Sequence, residues 1–222
     1  MHLYIVLEVE QNMFMSNMVE QVKAAKVVPV VKLNSPEEAL PLSEALIEGG
    51  LPVAEITFRT DAAEESIRRI AAAHPDMLVG AGTVTSIEQA KRAVDAGAKF
   101  AVTPGFSAKI TEFCIDSKLP VFPGVCTPSE IMQLIEYDLP VAKFFPAAQY
   151  GGVNTIKALS GPFPGMLFMP TGGVSESNIK EYLACKNIVA CGGSWMVAEK
   201  LIAAKDFEAV KNLTAAVVVL VK

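Results

Sequence analysis

The chain has 222 residues, of which 51% are hydrophobic, and it carries a formal net charge of −5 at pH 7. This length suits one domain with a large core, and the acidic charge balance argues against nucleic acid or an anionic membrane as a partner. The 2 histidines provide almost no material for a zinc site built from clustered imidazoles, so no zinc site is predicted.

The first fourteen residues differ in character from the rest of the chain. Their apolar run, Leu3 to Leu7, is too short to cross a membrane and has no basic leader. We therefore expect residues 1–14 to be an extension without a chemical role, and residues 15–222 to form the functional domain. The cysteines contain no C-x-x-C pair and are predicted to be reduced and mostly buried, which indicates a cytoplasmic protein. They are Cys114, Cys126, Cys185 and Cys191.

From Lys26 onward, short β-branched runs alternate with longer runs that have helical periodicity, which is typical of repeated βα units around a parallel sheet. The predicted strands are Val27 to Val31, Val53 to Phe58, Leu78 to Ala81, Phe100 to Thr103, Val121 to Pro123, the run around Lys143, Leu167 to Met169, and Ile188 to Cys191.

Helix start signals lie between these strands. Ser35-Pro36-Glu37-Glu38 and Thr127-Pro128-Ser129-Glu130 each combine a capping residue, a proline at the first helical position and an acid that can complete a capping box. A further helix is predicted over Ser175 to Ala184. The last helix, from Asp206, ends in a β-branched run from Val217 to Val221 whose strand propensity competes with the helical prediction.

No linker or low-complexity tract divides the chain, and glycine and proline separate the elements at short intervals. The pattern therefore predicts an α/β fold, a single (β/α)8 TIM barrel with an additional N-terminal segment. In such a barrel the active site lies at the C-terminal ends of the strands, where chemistry should be sought.

Lys143 stands inside the apolar, strand-like run Val141-Ala142-Lys143-Phe144-Phe145-Pro146. Burial without a partner disfavours the ammonium form of a lysine, and an uncharged amine is a nucleophile. The alternative is an edge-strand lysine whose charged end reaches water. We favour a lysine that forms a Schiff base with a keto acid.

Glu55 is the acid that could serve Lys143. Side chains alternate along a strand, so Val53, Glu55 and Thr57 share one face, and Glu55 can point toward the same interior as Lys143. A Schiff-base enzyme needs such an acid/base to move protons between its intermediates. The alternative is that Glu55 only neutralises a buried lysine.

Two glycine pairs follow the last two predicted strands, Gly172-Gly173 and Gly192-Gly193, the second with Ser194 directly after it. Loops at these two places often bind phosphate, because glycine lets backbone N–H groups approach an anion closely. A single Gly-Gly is usually only a turn, whereas two pairs in the two expected loops favour a phosphate site.

Further polar or shaping residues lie at predicted strand ends. Arg59 and Lys32 could each bind a carboxylate or a phosphate, or be solvated surface charges. Thr83 and Thr171 could hydrogen-bond a substrate or cap a loop, and Pro104 could shape the pocket through its backbone position.

These residues belong to a longer series of motifs that closely resembles the bacterial 2-keto-3-deoxy-6-phosphogluconate (KDPG) aldolases, also described as 4-hydroxy-2-oxoglutarate aldolases. The resemblance covers roughly Val22 to Lys222. The motifs, in chain order, are Glu55-Ile56-Thr57-Phe58-Arg59-Thr60, Gly80-Ala81-Gly82-Thr83-Val84, Thr103-Pro104-Gly105, Lys143-Phe144-Phe145-Pro146, Pro170-Thr171-Gly172-Gly173 and Gly192-Gly193-Ser194-Trp195.

The resemblance implies a class I aldolase, usually a homotrimer, that splits KDPG into pyruvate and glyceraldehyde 3-phosphate. It implies that Lys143 is the Schiff-base lysine and Glu55 the general acid/base. The matching substrate-binding positions are Arg59, Thr83 and Pro104 for the pyruvate part, Thr171 for the substrate, and Gly172, Gly173, Gly193 and Ser194 for the phosphate. Lys32 departs from the pattern, because some relatives carry arginine there, and lysine lacks bidentate geometry.

Two other functions remain open from the residues alone. One is a phospho-sugar isomerase or epimerase that uses Glu55 as a base and forms no covalent intermediate. The other is a non-catalytic phospho-sugar binding barrel, which would keep its ligand after loss of Lys143. The sequence also leaves open the choice between gluconate, galactonate and hydroxy-oxoglutarate substrates, which depends on small differences in placement.

Overall fold

The computed structural model describes residues 15–222, and the predicted extension of residues 1–14 lies outside that range. The first described element is helix α1 (residues 15–25), which buries Met18, Val19 and Val22. Met18 and Val22 are one helical turn apart, so they lie on the same face, and Val19 extends that face. This face joins the main hydrophobic core.

Parallel strands make the centre of the fold, and each strand pairing in residues 15–222 is parallel. Their residues are almost entirely buried, as expected for a parallel sheet that is covered on both faces. The strands are β1 (Val27–Val31), β2 (Val53–Thr57), β3 (Leu78–Gly82), β4 (Ala101–Val102), β5 (Val121–Phe122), β6 (Gly124–Val125), β7 (Val141–Phe144), β8 (Leu167–Pro170) and β9 (Cys191–Gly193).

Helices connect successive strands along most of the chain, and short 3-10 turns occupy Pro36–Glu38 and Trp195–Val197. The predicted capping boxes at Ser35 and Thr127 are both confirmed. After α1, the helices are α2 (Ala39–Glu48), α3 (Ala63–Ala73), α4 (Ile87–Asp95), α5 (Ala108–Asp116), α6 (Pro128–Glu136), α7 (Gly152–Ser160), α8 (Ile179–Leu183), α9 (Glu199–Ala203) and α10 (Phe207–Val221).

Two helices near the C-terminus resolve open questions from the sequence. The β-branched run is helical, because Val210, Thr214 and Val217 recur at helical spacing and are buried against the core. The helix predicted from Ser175 is shorter than expected. The Asn178 amide donates to the carbonyl of Gly173, and its oxygen accepts from the N–H of Ser175, which holds this stretch as a loop before α8 begins.

The predicted single closed (β/α)8 barrel is wrong. The strands form two sheets, a six-stranded one in the order β5-β4-β3-β2-β1-β9 and a three-stranded one in the order β6-β7-β8. The predicted fifth strand, Val121 to Pro123, ends one residue earlier, at Phe122, because proline has no N–H to donate to a ladder. A further short strand, β6, follows Pro123 and belongs to the other sheet. Between β8 and β9 there are only isolated bridges, Phe168 to Ile188 and Thr171 to Gly192.

The two sheets share one hydrophobic core. Residues from α1 through α10 contribute to a single cluster of buried side chains that includes Phe100, Phe122, Phe144 and Phe168. In residues 15–222 no helix is both long and apolar enough to cross a membrane. Because all strands run in parallel, their C-terminal ends carry the loops that contain the candidate residues.

Candidate active site

Glu55 and Lys143 meet inside the protein, although they lie on β2 and β7 of different sheets. Lys143 Nζ lies 3.4 Å from Glu55 Oε1, and the two side chains are only 4% and 1% exposed. The expectation from strand alternation that Glu55 points toward the same interior as Lys143 is therefore confirmed. The contact places a carboxyl group within hydrogen-bond reach of a buried amine, an arrangement that allows proton transfer between the two.

Glu55 has one carboxylate oxygen in use and one free. Oε1 accepts from Lys143, whereas Oε2 is buried without a hydrogen-bond partner among residues 15–222. A buried carboxylate oxygen without a partner is costly, so this atom is suited to a proton or a hydrogen bond from a bound molecule. The carboxylate lies directly against the α-carbon of Gly82 at the end of β3.

The surroundings of the Lys143 amine are apolar on one side. Nζ lies 5.1 Å from the centre of the Phe145 ring, and the flanking Ala142 and Phe144 are completely buried. The thiol of Cys191, on β9, is no rival nucleophile, because burial raises its pKa to about 12 and keeps it protonated.

A hydrogen bond to Thr57 holds the Arg59 side chain in place. Its Nε donates to Thr57 Oγ1 at 3.0 Å, and that hydroxyl donates to the carbonyl of Val31 at 2.8 Å. The side chain is otherwise exposed and borders a cavity of about 390 Å³. Other residues that line this cavity are Lys32, Ser194, Trp195, Glu199 and Lys200.

Thr83 and Pro104 adjoin backbone neighbours of the pair. Thr83 follows Gly82, and Pro104 packs on Gly124, which pairs with Lys143 between β6 and β7. Thr83 follows β3 with a φ of 55°, a left-handed conformation that is unusual for a β-branched residue and often marks a functional position. The backbone of Pro104 packs so closely on Gly124 that a side chain at position 124 would collide with it. Neither residue contacts Glu55 or Lys143 through a hydrogen bond among the described residues.

Thr171 and the two glycine pairs form a second cluster at the ends of β8 and β9. Thr171 Oγ1 is buried without a partner within residues 15–222, and its side chain packs on the α-carbon of Gly192. Gly172 and Gly173 adopt φ values of 94° and 78°, which a side chain would strain.

Backbone donors are free at this second cluster. In the part of the chain that the structure describes, the N–H groups of Gly173 and Ser194 have no backbone acceptor. Gly193 packs against the ring of Trp195, which orients the loop. Such donors beside glycine are suited to an anion.

Sequence reasoning missed three features of the site. It did not identify the contact of Gly82 with Glu55, or Thr57 as the support of Arg59. It left Lys32 open, and the structure pairs Lys32 Nζ with Glu199 Oε2 at 2.9 Å. Within residues 15–222 no group of three or more His, Cys, Asp or Glu is placed to hold a metal ion.

Comparison with known proteins agrees with this geometry. Residues 18–213 match the family model described as KDPG and KHG aldolase. A Haemophilus influenzae protein named 2-dehydro-3-deoxy-phosphogluconate aldolase is 45% identical over 92% of this chain and 96% of its own length. The KHG/KDPG aldolase of Escherichia coli K12 is 41% identical over 84% of this chain and 88% of its own.

A solved structure adds chemical detail. The KDPG aldolase of Legionella pneumophila, crystallised with pyruvate captured at low pH as a covalent carbinolamine intermediate, superimposes with a TM-score of 0.85 and 41% identity, covering 88% of this chain and 95% of its own. The family and the lyase class expected from the sequence are thereby confirmed. The chain belongs to the KDPG and KHG aldolase family.

Proposed function

We propose that the chain is a class I aldolase that cleaves KDPG to pyruvate and glyceraldehyde 3-phosphate through a Schiff base on Lys143, and that it also acts on 4-hydroxy-2-oxoglutarate. The observation that carries this function is the buried contact of 3.4 Å between Lys143 Nζ and Glu55 Oε1. It combines a nucleophile with an adjacent proton carrier, as covalent catalysis by an amine requires.

The first half of the reaction attaches the substrate to the protein. The uncharged Lys143 Nζ attacks the C2 carbonyl carbon, and the N–C2 bond forms as the C2–O π bond opens. The nitrogen gives up a proton to Glu55, and the oxygen takes one up from it to give a carbinolamine. Loss of water then gives the protonated imine. Glu55 moves the protons in both steps, and the carbinolamine in the Legionella pneumophila relative supports this order of events.

The second half breaks the carbon–carbon bond. Glu55, directly or through a water molecule, removes the proton of the C4 hydroxyl, and the C3–C4 electron pair moves toward the imine nitrogen. The aldehyde leaves, and the remaining enamine takes a proton at C3 before hydrolysis releases pyruvate and Lys143. The protonated imine is the electron sink, so neither a metal nor an organic cofactor has a role in these steps.

Binding of the rest of the substrate is assigned to the surrounding strand ends. In this proposal Arg59, Thr83 and Pro104 contact the pyruvate part, and Thr171 contacts the substrate through its unpartnered hydroxyl. Gly172, Gly173, Gly193 and Ser194 bind the phosphate. Support comes from the N–H groups of Gly173 and Ser194, which have no backbone acceptor in the described range.

Borohydride trapping tests the proposal. The protein is incubated with pyruvate, reduced, and analysed by intact and peptide mass. We expect a reduced pyruvate adduct on the peptide that contains Lys143, absent from Lys143→Ala and retained in Lys157→Ala, where an exposed lysine of α7 is removed. No adduct on folded protein at saturating pyruvate would favour an isomerase or epimerase, or a binding protein without turnover.

Assembly and location complete the proposal. We place the enzyme in the cytoplasm as a homotrimer that acts on small molecules, without nucleic acid or membrane as a partner. The four unpaired cysteines support a reducing compartment. Light scattering coupled to gel filtration measures the mass of the assembly, and a monomer or dimer would contradict the trimer.

A further inference from the structure

The cavity beside the proposed phosphate loops contains an acidic side chain that the reaction does not use. Three cations line this cavity, Lys32, Arg59 and Lys200, and Glu199 is the acid among its lining residues. Ser194 lines the same cavity, which connects it to the loop assigned to phosphate binding. A dianion that binds there therefore meets the negative charge of Glu199 as well as the three positive charges.

Glu199 is engaged with one of those cations. Lys32 Nζ donates to Glu199 Oε2 at 2.9 Å, and the Lys32 side chain is 30% exposed whereas that of Glu199 is 54% exposed. The hydrogen bond from Lys32 lowers the pKa of Glu199 below its ordinary value, and the positive charges of Lys32 and Arg59 lower it further against the opposing effect of burial. The carboxylate therefore remains charged throughout the neutral pH range.

The chain connects this acid closely to the anion loop. Glu199 is the first residue of α9, and only the 3-10 turn Trp195–Val197 and Ala198 separate it from Ser194. Lys32 directly follows β1, which pairs with β9 in the same sheet, so Lys32 and Ser194 follow neighbouring strands. The Glu199 carboxylate is thus already hydrogen-bonded to Lys32, the lysine that a phosphate bound at Ser194 would otherwise attract.

We propose that Glu199 is a specificity-determining residue that competes with the substrate's phosphate for Lys32 and so lowers the preference of this enzyme for phosphorylated keto acids. The inference rests on the proposed function for the identity of the substrate. When a phosphate binds, Lys32 exchanges the carboxylate for a phosphate oxygen, and Glu199 turns toward solvent. A substrate that ends in a single carboxylate on a shorter chain, such as 4-hydroxy-2-oxoglutarate, does not require this exchange.

A different role for the same contact makes the opposite prediction. If Glu199 held Lys32 in place for the phosphate, removal of its charge would weaken anion binding. Competition predicts that removal strengthens binding, because Lys32 is released and a like charge is lost. The direction of the change therefore decides between the two roles.

The test uses Glu199→Gln, with Glu199→Asp to retain the charge. Glu48→Gln is the matched control, because Glu48 forms an equally short 2.9 Å pair with Lys211 on α10 and is similarly exposed. Calorimetry with inorganic phosphate measures anion affinity, and steady-state kinetics measure kcat and KM for KDPG and 4-hydroxy-2-oxoglutarate.

We expect Glu199→Gln to bind inorganic phosphate roughly tenfold more tightly, and to lower the KM for KDPG by a similar factor while kcat changes by less than about twofold. Kinetics with 4-hydroxy-2-oxoglutarate should stay within about twofold of the unmodified enzyme, as should all values for Glu48→Gln and Glu199→Asp. Unchanged or weaker phosphate binding by Glu199→Gln would overturn the proposal.

Phosphate binding also separates this inference from the proposed function. Calorimetry does not depend on Lys143, so Glu199→Gln can be compared in a Lys143→Ala background. If the unmodified protein formed no pyruvate adduct, the aldolase proposal would fail while the anion measurement still decided the role of Glu199.

Discussion

The α-carbon of Gly82 lies against the carboxylate of Glu55, so that a Cβ at position 82 would overlap Oε1. Gly82 ends β3 and pairs with Thr57 of β2, two residues beyond Glu55. The absence of a side chain at this position leaves the room in which Glu55 reaches Lys143 on the other sheet. One glycine thus contributes to the geometry of the Glu55–Lys143 pair.

Gly82→Ala should reduce turnover by about 100-fold, because a displacement of roughly 1 Å in a catalytic group can have that effect. The protein should remain folded and should still form the pyruvate adduct, more slowly. Steady-state kinetics and timed borohydride trapping measure both effects. Gly165→Ala is the matched control, because a Cβ at Gly165 meets nothing within 4 Å. Equal turnover in the two variants would show that the absence of a side chain at Gly82 does not matter for the position of Glu55.

Glu55→Gln should lower kcat by about 10² to 10⁴, the range that general acid–base catalysis contributes. Glutamine has nearly the shape of glutamate and can still accept a hydrogen bond from Lys143, so the effect on turnover should greatly exceed the effect on folding. Kinetics and urea unfolding of the same preparation check this. An enzyme that retained full turnover would refute the role of Glu55 in proton transfer.

Thr57→Val should raise the KM for KDPG roughly fivefold, equivalent to about 1 kcal/mol, because the variant lacks the hydroxyl that holds Arg59. The variant preserves side-chain volume, and kcat should change less than KM. Thr57→Ser retains the hydroxyl and should behave like the unmodified enzyme. If the serine and valine variants had the same KM, the hydrogen bond to Arg59 would have no part in binding.

Glu130 provides a test of stability against pH. Burial opposes its charge, but hydrogen bonds from the backbone N–H of Cys126 and from Thr127 lower its pKa below the ordinary 4.5. A lowered pKa in the folded state means that the stabilisation is present above the unfolded-state pKa and is lost as the pH falls below it.

Glu130→Gln should therefore destabilise the protein by about 1 kcal/mol at neutral pH, and the difference from the unmodified protein should shrink as the pH falls below 4.5. Urea unfolding of both proteins at neutral pH and below pH 4.5 measures the difference in the free energy of unfolding. Glu176→Gln, at an exposed loop position, should show no such pH dependence. A difference that grew in acid would contradict the assignment.

Local signals in the sequence predicted much of this structure. The caps at Ser35 and Thr127 are confirmed because a capping box depends on residues within one helical turn. The strand around Lys143 and the alternation of strands and helices are confirmed for the same reason, since periodicity of apolar residues is a local property. The roles of the site residues remain predictions.

The predicted closed barrel failed where long-range pairing decides the outcome. The predicted fifth strand ended at Pro123, whereas in the structure β5 ends at Phe122 and an additional strand, β6, begins after the proline in the other sheet. Only isolated bridges connect β8 and β9, and whether a full ladder forms there depends on how two separate segments of the chain align. Strand propensity contains no information on such alignment.

Neighbouring residues and motifs in series were enough to predict the alternating elements, the lysine in an apolar strand, and the family. The sheet that each strand joins, the contact of Gly82 with Glu55 and the pair of Glu199 with Lys32 became known only from the folded structure. These relationships join residues far apart in the chain, and packing of the whole core sets the distances between them.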